Sequence, residues 1–479
     1  MLALSLTSLL AGLIGGIWDL VDPLIAREEV RAELALTFTG LGIAALGAPL
    51  YLLGAQNTRR LIDRREAILT VVILWLLAGL ISAIPLHFGQ GLAFEDAIFE
   101  AFSGLTTTGA SVLPSIERGV PRAIILYRVL LQWLGGVGIV VLFAALFPKI
   151  GAAGKRLFRD EAPAQSGRPM RPRIRELSLT IWAIYSALTL LLVVLLLLLG
   201  MGPFDALCHA MATLATGGFS TRDAAIASFE SPAIELIIAA FMLIGAMNFG
   251  LYFEAYQRRS LRPLVRNIEV RTFLGLTLAA WLLISWMNRG IHHEALSGVR
   301  HAFFLTSGTI SSTGFNSDVS LSWPASSQLL LLILMFFGGC AGSTSGGLKI
   351  ERVIVLYQVA ITQIKKSFRP HAVEAIRIGR RALDPNAVAS VMAILILYFF
   401  TTALGTLAIT SLDPVGVEAA FGVTLGAVTN AGLMPFHEAG LGFADYSAGS
   451  KLVLSALMLL GRLEFLAILA LFVPRFWWR

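Results

Sequence analysis

Charge is scarce in this chain. Only 14% of its 479 residues are Asp, Glu, Lys or Arg, where a soluble domain carries roughly 25%. An ordinary water-soluble surface is excluded for most of the length. Cysteine is scarcer still: Cys208 and Cys340 sit in separate apolar regions, so neither a disulfide framework nor a zinc spacing exists. The adjacent pair His292 and His293 has a poor spacing for a helix-borne metal site. With no nucleophile–base pair and no nucleotide loop, little supports a membrane enzyme. The first residues, MLALSLTSLLAGLIGGIW, lack a basic region and a clear cleavage site, and read as a retained first span rather than a signal peptide.

What is present in excess is apolar surface. Hydrophobic residues make up 56% of the chain and the mean hydropathy is +0.78. Apolar runs of roughly 20 residues, enough to cross a bilayer, recur along it. In lipid an unpaired backbone group is costly, so the spans are expected to be helices, with irregular backbone only where protein or a cavity surrounds it. The net charge of +7 does not point to nucleic acid. Of 37 Lys and Arg residues, 27 fall in 55–66, 149–176, 257–271, 349–381 and 475–479. That clustering follows the positive-inside rule and places these segments in the cytoplasm. Arg168 to Arg175 also suit anionic lipid headgroups or a cytoplasmic partner.

One short motif is written four times: SGLTTTGAS (103–111), ATLATGGFS (212–220), SGTISSTGFN (307–316) and GAVTNAGLM (426–434). Each closes on a glycine followed by a non-polar residue: Gly109, Gly218, Gly314 and Gly432. A long-period repeat means one structural unit used several times. Each unit reads as a long apolar helix, a half-helix of roughly 12 residues that is too short to span, the motif, and a second long helix. The long helices fall near 67–86 and 121–148, 177–200 and 232–256, 272–288 and 324–350, and 387–410 and 449–473. An extra pair precedes them near 3–24 and 33–54. The expected fold is therefore an all-α polytopic membrane protein of ten spans and four re-entrant half-helices around a central pore. Its parts are an N-terminal helix pair (1–58) and units at 59–150, 151–256, 257–350 and 351–479. With the N-terminus inside, every basic loop lies on one side and every motif opens from the other.

The half-helices align when counted back from the glycine. Twelve residues before it lie Ala97, Ala206, Ala302 and Ala420; one earlier lie Asp96, Asp205, His301 and Ala419, with Glu418 beside the last. Acidic residues suit the N-terminal end of a helix, and the negative C-terminal end would face the pore and favour a cation. Ring-like backbone carbonyls can replace a cation's water, and glycine is the residue that allows the required backbone angles. The candidate cation filter is Thr107, Thr108, Gly109; Thr216, Gly217, Gly218; Ser312, Thr313, Gly314; and Asn430, Ala431, Gly432. No carboxylate occurs inside the four motifs, unlike the Asp or Glu rings of other cation pores. Small-residue stretches also serve close helix packing, but four copies behind matching half-helices argue for a shared site.

Two features lie where a gate is expected. MFFGGCAGSTSGGLK (335–349) interrupts an apolar helix with Gly338, Gly339, Gly342, Gly346 and Gly347, and includes Ser343. Each glycine costs a helix about 1 kcal/mol, and a broken helix at membrane depth lines a cavity or is buried in protein. A packing kink is the plainer reading; a phosphate loop is rejected for want of Gly-Lys-Ser/Thr. The second feature is Arg462, an ionisable residue inside an apolar helix and so a functional candidate. Glu464 is too near in sequence to share its helix face. Glu100 and Arg128 read as bracing for the first loop, and Asn248 as a bond between helices.

With these residues in view, the chain resembles the Trk/Ktr/HKT superfamily of potassium transport proteins, in particular its TrkH-type translocating subunit. The quoted TTTGA, TGGF and STGF stretches carry the resemblance, which covers the whole chain. It implies a single K+ pathway through one subunit, lined by the four glycines, and K+ preference, since a serine at the first position accompanies sodium permeation in some relatives. The fourth motif departs from the Thr-Gly pattern. The resemblance further implies that the glycine segment is an intramembrane gating loop and that Arg462 projects into the pore beneath the filter. It implies a homodimer in the bacterial inner membrane, regulated by a cytoplasmic TrkA-type subunit that binds NAD(H) or adenine nucleotides. K+ is then the transported ion, no organic cofactor belongs to this chain, and membrane lipid surrounds it. A sodium-permeable or ion-coupled symporter of the same fold is the alternative; a non-conducting scaffold or sensor is the reading from another class.

Overall fold

The computed structural model describes residues 7–13, 27–55, 63–146, 170–291, 295–316, 323–369, 376–378, 381–433 and 442–477. Most of the expected first span, the basic stretch from 147 to 169, and His292 and His293 lie outside the described residues.

Residues 7–13 are helical, and a 29-residue helix, Arg27–Ala55, follows. The motif-bearing units then follow one plan. Unit one runs Arg64–Gln90, Phe94–Leu105 and Arg122–Leu146. Unit two runs Met170–Leu198, Pro203–Leu214 and Pro232–Gly245. Unit three runs Ile268–Met287, Ala295–Ile310 and Ala325–Phe337. Unit four runs Pro385–Leu412, Val417–Thr429 and Ala448–Arg462. In each, an outer helix is followed by a short pore helix and an inner helix. Local chemistry sets several starts. Asp384, Ser231, Asn267 and Ser447 each accept a hydrogen bond from a first-turn amide, which satisfies donors a helix start otherwise leaves open. A two-residue antiparallel pairing of Arg377–Ile378 with Arg381–Ala382 is the only strand pairing among the described residues.

The outer helices and the core differ in what covers them. Only 17% of the most apolar window of Pro385–Leu412 is buried, against 78% for Arg122–Leu142. Exposed Leu190, Leu278, Phe399 and Phe400 therefore face lipid, where apolar surface carries no penalty. The pore helices are enclosed: Ala97, Ala206, Ala302 and Ala420, the four aligned alanines, are all 0% exposed.

The inner helices are not the straight spans expected. In unit two the chain bends 89° between Pro232–Gly245 and Phe249–Arg258, and in unit four 103° after Arg462. Asn248 caps the new helix by accepting from the Gly250 amide at 2.7 Å. In unit four the turn is made by Glu464 and Phe465, at φ 56° and 53°. Unit three breaks after Phe337 and resumes as Ile350–Phe368. Among the described residues five helices are long and apolar enough to cross a membrane, or seven counting the bent pairs. The three short of ten are the two expected N-terminal spans and the third inner helix, which stops at Phe337. The third pore helix also begins early, at Ala295, so His301 lies within it rather than at its start.

Candidate functional site

Each pore helix ends in the same way. The residue two before the motif glycine adopts a left-handed conformation in all four units: Thr107 (φ 57°), Thr216 (51°), Ser312 (56°) and Asn430 (53°). The next amide closes back on the helix five residues earlier, Thr108 to Ser103, Gly217 to Ala212, Thr313 to Gly308 and Ala431 to Gly426, each at 2.9 Å. The left-handed residue's own amide closes three back, at 3.0–3.3 Å. This is the Schellman ending, which satisfies the last helical carbonyls. Glycine normally occupies its left-handed position; a Thr or Ser there costs of order 1–3 kcal/mol. Four such residues in register mark a strained, repeated device.

The four loops meet in chain order around one centre. A Cβ built on Gly109 would stand 2.0 Å from the Gly217 oxygen, and one on Gly218 would stand 2.0 Å from the Thr313 oxygen. A Cβ on Gly314 would stand 3.1 Å from the Gly432 nitrogen, and one on Gly432 would stand 2.5 Å from the Thr108 oxygen. The ring is thus closed, unit one to two to three to four and back to one. Gly109, Gly218 and Gly314 also have φ near +80°, which only glycine adopts freely. Gly432 is absent from that set, so the fourth loop departs in backbone as well as in sequence. The helix C-termini that precede the loops converge with them and bring partial negative charge to the ring.

Neighbouring units brace the loops. Gln132, on the first inner helix, donates to the Gly217 carbonyl at 2.6 Å and accepts from the Phe219 amide at 3.3 Å. Gly217 is therefore tied to unit one. Buried Arg128 pairs with buried Glu100 through Nε at 2.6 Å and reaches Ser111 at 2.9 Å. Glu100 in turn accepts from Ser111 and from the Val112 amide, both at 3.0 Å. The bracing expected of this pair is what the geometry shows. At the face where the pore helices begin, Asp205 binds Arg222 at 2.8 Å, Arg300 binds Glu235 at 2.8 Å, and Lys451 binds Asp96 at 2.6 Å. Asp223 accepts from Ser115 and from the amides of Ile116 and Glu117. Partial burial would raise its carboxyl, but these donors outweigh that and hold it below the usual range.

Beneath the ring, the glycine segment crosses the centre. Ser312 lies 3.0 Å from the Ser345 hydroxyl and accepts from the Gly346 amide at 2.7 Å; Thr216 donates to Thr344 at 3.2 Å. The Thr344 hydroxyl lies 3.0 Å from both the Leu214 and Gly245 carbonyls and donates to one of them at a time. A Cβ on Gly346 would stand 2.0 Å from the Thr429 oxygen, and one on Gly338 2.2 Å from the Gly346 oxygen. Gly339 lies against the Ala246 carbonyl, Gly342 against Asn248, and Gly347 doubles back on Gly338. The Ser343 hydroxyl donates to the Cys340 carbonyl at 2.6 Å. Glu269 accepts from the Ala341 amide at 2.6 Å, and Lys349 donates to the Ser345 carbonyl at 2.5 Å. Much of the irregular backbone is thus satisfied by protein, as membrane depth requires.

Arg462 anchors this segment. Its Nη1 donates to the Thr344 carbonyl at 2.7 Å and its Nη2 to the Gly135 carbonyl at 3.1 Å. Its partners are carbonyls, not a carboxylate; Glu464 instead pairs with Arg352. Gly135 packs on the first pore helix, since a Cβ there would stand 1.8 Å from the Leu105 oxygen. Gly461 meets the Val428 oxygen in the same manner, at 2.0 Å. Sequence reasoning missed Gln132, Gly135, Thr344 and Gly461. A lone amide in an apolar helix could have flagged Gln132; the glycines share their signal with ordinary packing.

The fold and site define a multi-pass membrane protein built around four re-entrant helix–loop segments. Comparison with known proteins carries this further. The TrkH family profile, described as a cation transport protein, matches residues 39–478. The Trk system potassium uptake protein TrkH of Salmonella typhimurium is 38% identical over 458 residues, 93% of this chain and 92% of its own length. The protein of that name from Halomonas elongata is also 38% identical, covering 91% of both chains. The crystal structure of the potassium transporter TrkH from Vibrio parahaemolyticus superposes with a TM-score of 0.85 at 31% identity, over 99% of this chain and 97% of that one. This chain belongs to the TrkH family of cation transport proteins, a family of transporters rather than enzymes.

Proposed function

We propose that this chain takes up K+ through a pathway lined by the four motif loops, gated by the 338–347 segment and Arg462. The single observation that carries the reading is the closed ring of four identical helix endings. It supplies carbonyl and hydroxyl oxygens, the donors suited to a dehydrated monovalent cation. Among the described residues no three His, Cys, Asp or Glu gather as a metal site would require. The relatives' names as potassium uptake proteins support K+ as the ion. Entry would be driven by the membrane potential at about 2.3 kcal/mol per charge per 100 mV. We place the protein in the bacterial inner membrane with its N-terminus and basic segments cytoplasmic, as a homodimer with one pathway per protomer. A TrkA-type nucleotide-binding subunit would control it, as the family resemblance implies.

The test is K+ and Na+ flux in proteoliposomes for wild type and Gly314→Ser. A side chain at 314 meets its nearest atom at 3.1 Å, so the loop can hold it with strain of order 1–3 kcal/mol at φ +80°. K+ flux is expected to persist while the K+:Na+ ratio falls about tenfold. A ratio unmoved by the substitution returns the glycines to helix packing.

A further inference from the structure

Three junctions of the ring join units that follow one another in the chain. The fourth, between units four and one, brings together residues 322 apart in sequence. No short connection holds it, so side chains must. The last inner helix, Ala448–Arg462, packs on the first pore helix, Phe94–Leu105. At the upper end of this seam Lys451 binds Asp96 at 2.6 Å, and the rings of Phe99 and Phe443 stand 5.4 Å apart.

Asn430 sits at the lower end. At its register the other units carry Thr or Ser, and Thr216 and Ser312 turn toward the glycine segment. Asn430 instead donates from Nδ2 to the Thr108 hydroxyl at 3.2 Å and to the Met458 carbonyl at 2.8 Å. One amide group thereby ties its own inner helix to the neighbouring loop. A hydroxyl at 430 has a single proton and a shorter reach, and cannot serve both acceptors. Asn also tolerates the left-handed conformation better than Thr or Ser. The Thr108 carbonyl is the first atom a Cβ on Gly432 would meet, so fixing the Thr108 side chain fixes the contact that closes the ring.

We propose that Asn430 is a positioning residue for ion selectivity, closing the ring across the seam between the fourth and first units through Thr108. The proposal rests on the filter reading above. It explains the departure of the fourth motif as a consequence of linear chain connectivity: one junction lacks a covalent neighbour, and one copy carries a longer side chain.

The experiment measures K+:Na+ permeability ratios from reversal potentials for Asn430→Ser, Thr108→Val and the double variant, with Gly314→Ser alongside and thermal stability recorded for each. Asn430→Ser is expected to lower the ratio about fivefold, the equivalent of one hydrogen bond. Thr108→Val keeps the side-chain shape, removes the acceptor and should lower it in the same direction. The double variant should fall by less than the product of the two single effects, because both break the Asn430–Thr108 bond while each also loses a contact of its own, Asn430 to Met458 and Thr108 to Thr106. A change in stability alone, with the ratio unmoved, overturns the proposal, as do single effects that multiply in the double variant. If Asn430→Ser fails to fold, Thr108→Val decides: an unchanged ratio overturns the proposal. Gly314→Ser separates the failures. When it shifts the ratio and the seam variants do not, only the seam inference falls; when none shifts it, the filter reading falls too.

Discussion

Gly218→Ala is expected to cut K+ flux by about a hundredfold while the protein still folds and inserts. The reason is geometric. Gly218 has φ +79°, and its added Cβ would stand 2.0 Å from the Thr313 oxygen and 3.1 Å from the carbonyl carbon behind it. The obstacle is backbone of the neighbouring loop, not a side chain that can swing aside. Left-handed strain alone accounts for about 1–3 kcal/mol, and moving the third loop adds to it; about 2.8 kcal/mol already corresponds to a hundredfold. Gly314 differs because its nearest contact is 3.1 Å, which is why substitution there is expected to change selectivity before conduction. Gly275, on an outer helix with nothing within 4 Å, is the control: Gly275→Ala should leave flux unchanged. Tracer uptake in proteoliposomes, with size-exclusion profiles to verify folding, checks all three. Wild-type flux from Gly218→Ala would remove the ring from the pathway.

Arg462→Gln is expected to raise K+ flux measured without any regulatory subunit by about tenfold or more. Arg462 holds the Thr344 carbonyl of the glycine segment and the Gly135 carbonyl of the first inner helix. Hydrogen bonds from a charged group contribute about 1.5–3 kcal/mol each, so losing one shifts a closed–open balance by at least tenfold. The same arginine also places a positive charge beneath the ring. Arg462→Lys separates the two roles, since lysine keeps the charge but lacks the planar fork. Anchoring predicts that Arg462→Lys also raises flux; a pure charge barrier predicts wild-type behaviour. Lower flux from Arg462→Gln would show that the arginine supports conduction instead of restraining it.

How far the sequence carried this account differs from one element to the next. The four glycines and the alanines twelve residues before them were readable because a repeat needs the same small residue wherever the same close contact recurs. The alanines' full burial and the shared helix endings are the structural form of that repeat. The bends of the second and fourth inner helices were not readable. LMLLGRLEFLAIL runs as continuous apolar helix by pattern, yet Glu464 and Phe465 turn left-handed within it. Tertiary contacts impose that turn: Glu464 pairs with Arg352 of unit three, and Phe465 is buried against Tyr398. Arg462 was legible as an ionisable residue in a span, but its partners are backbone carbonyls, which leave no mark in a sequence. Asn430 looked like a weak point of the fourth motif because a pattern compares copies and does not see which copy must close the ring.

The most direct test of the central claim is to locate the ion. Crystals soaked in Tl+, a K+ substitute with strong anomalous scattering, should show a peak on the axis enclosed by Gly109, Gly218, Gly314 and Gly432, one within each protomer. Ordered Tl+ found only elsewhere, or an empty ring in crystals whose protein conducts Tl+ in liposomes, would contradict the account.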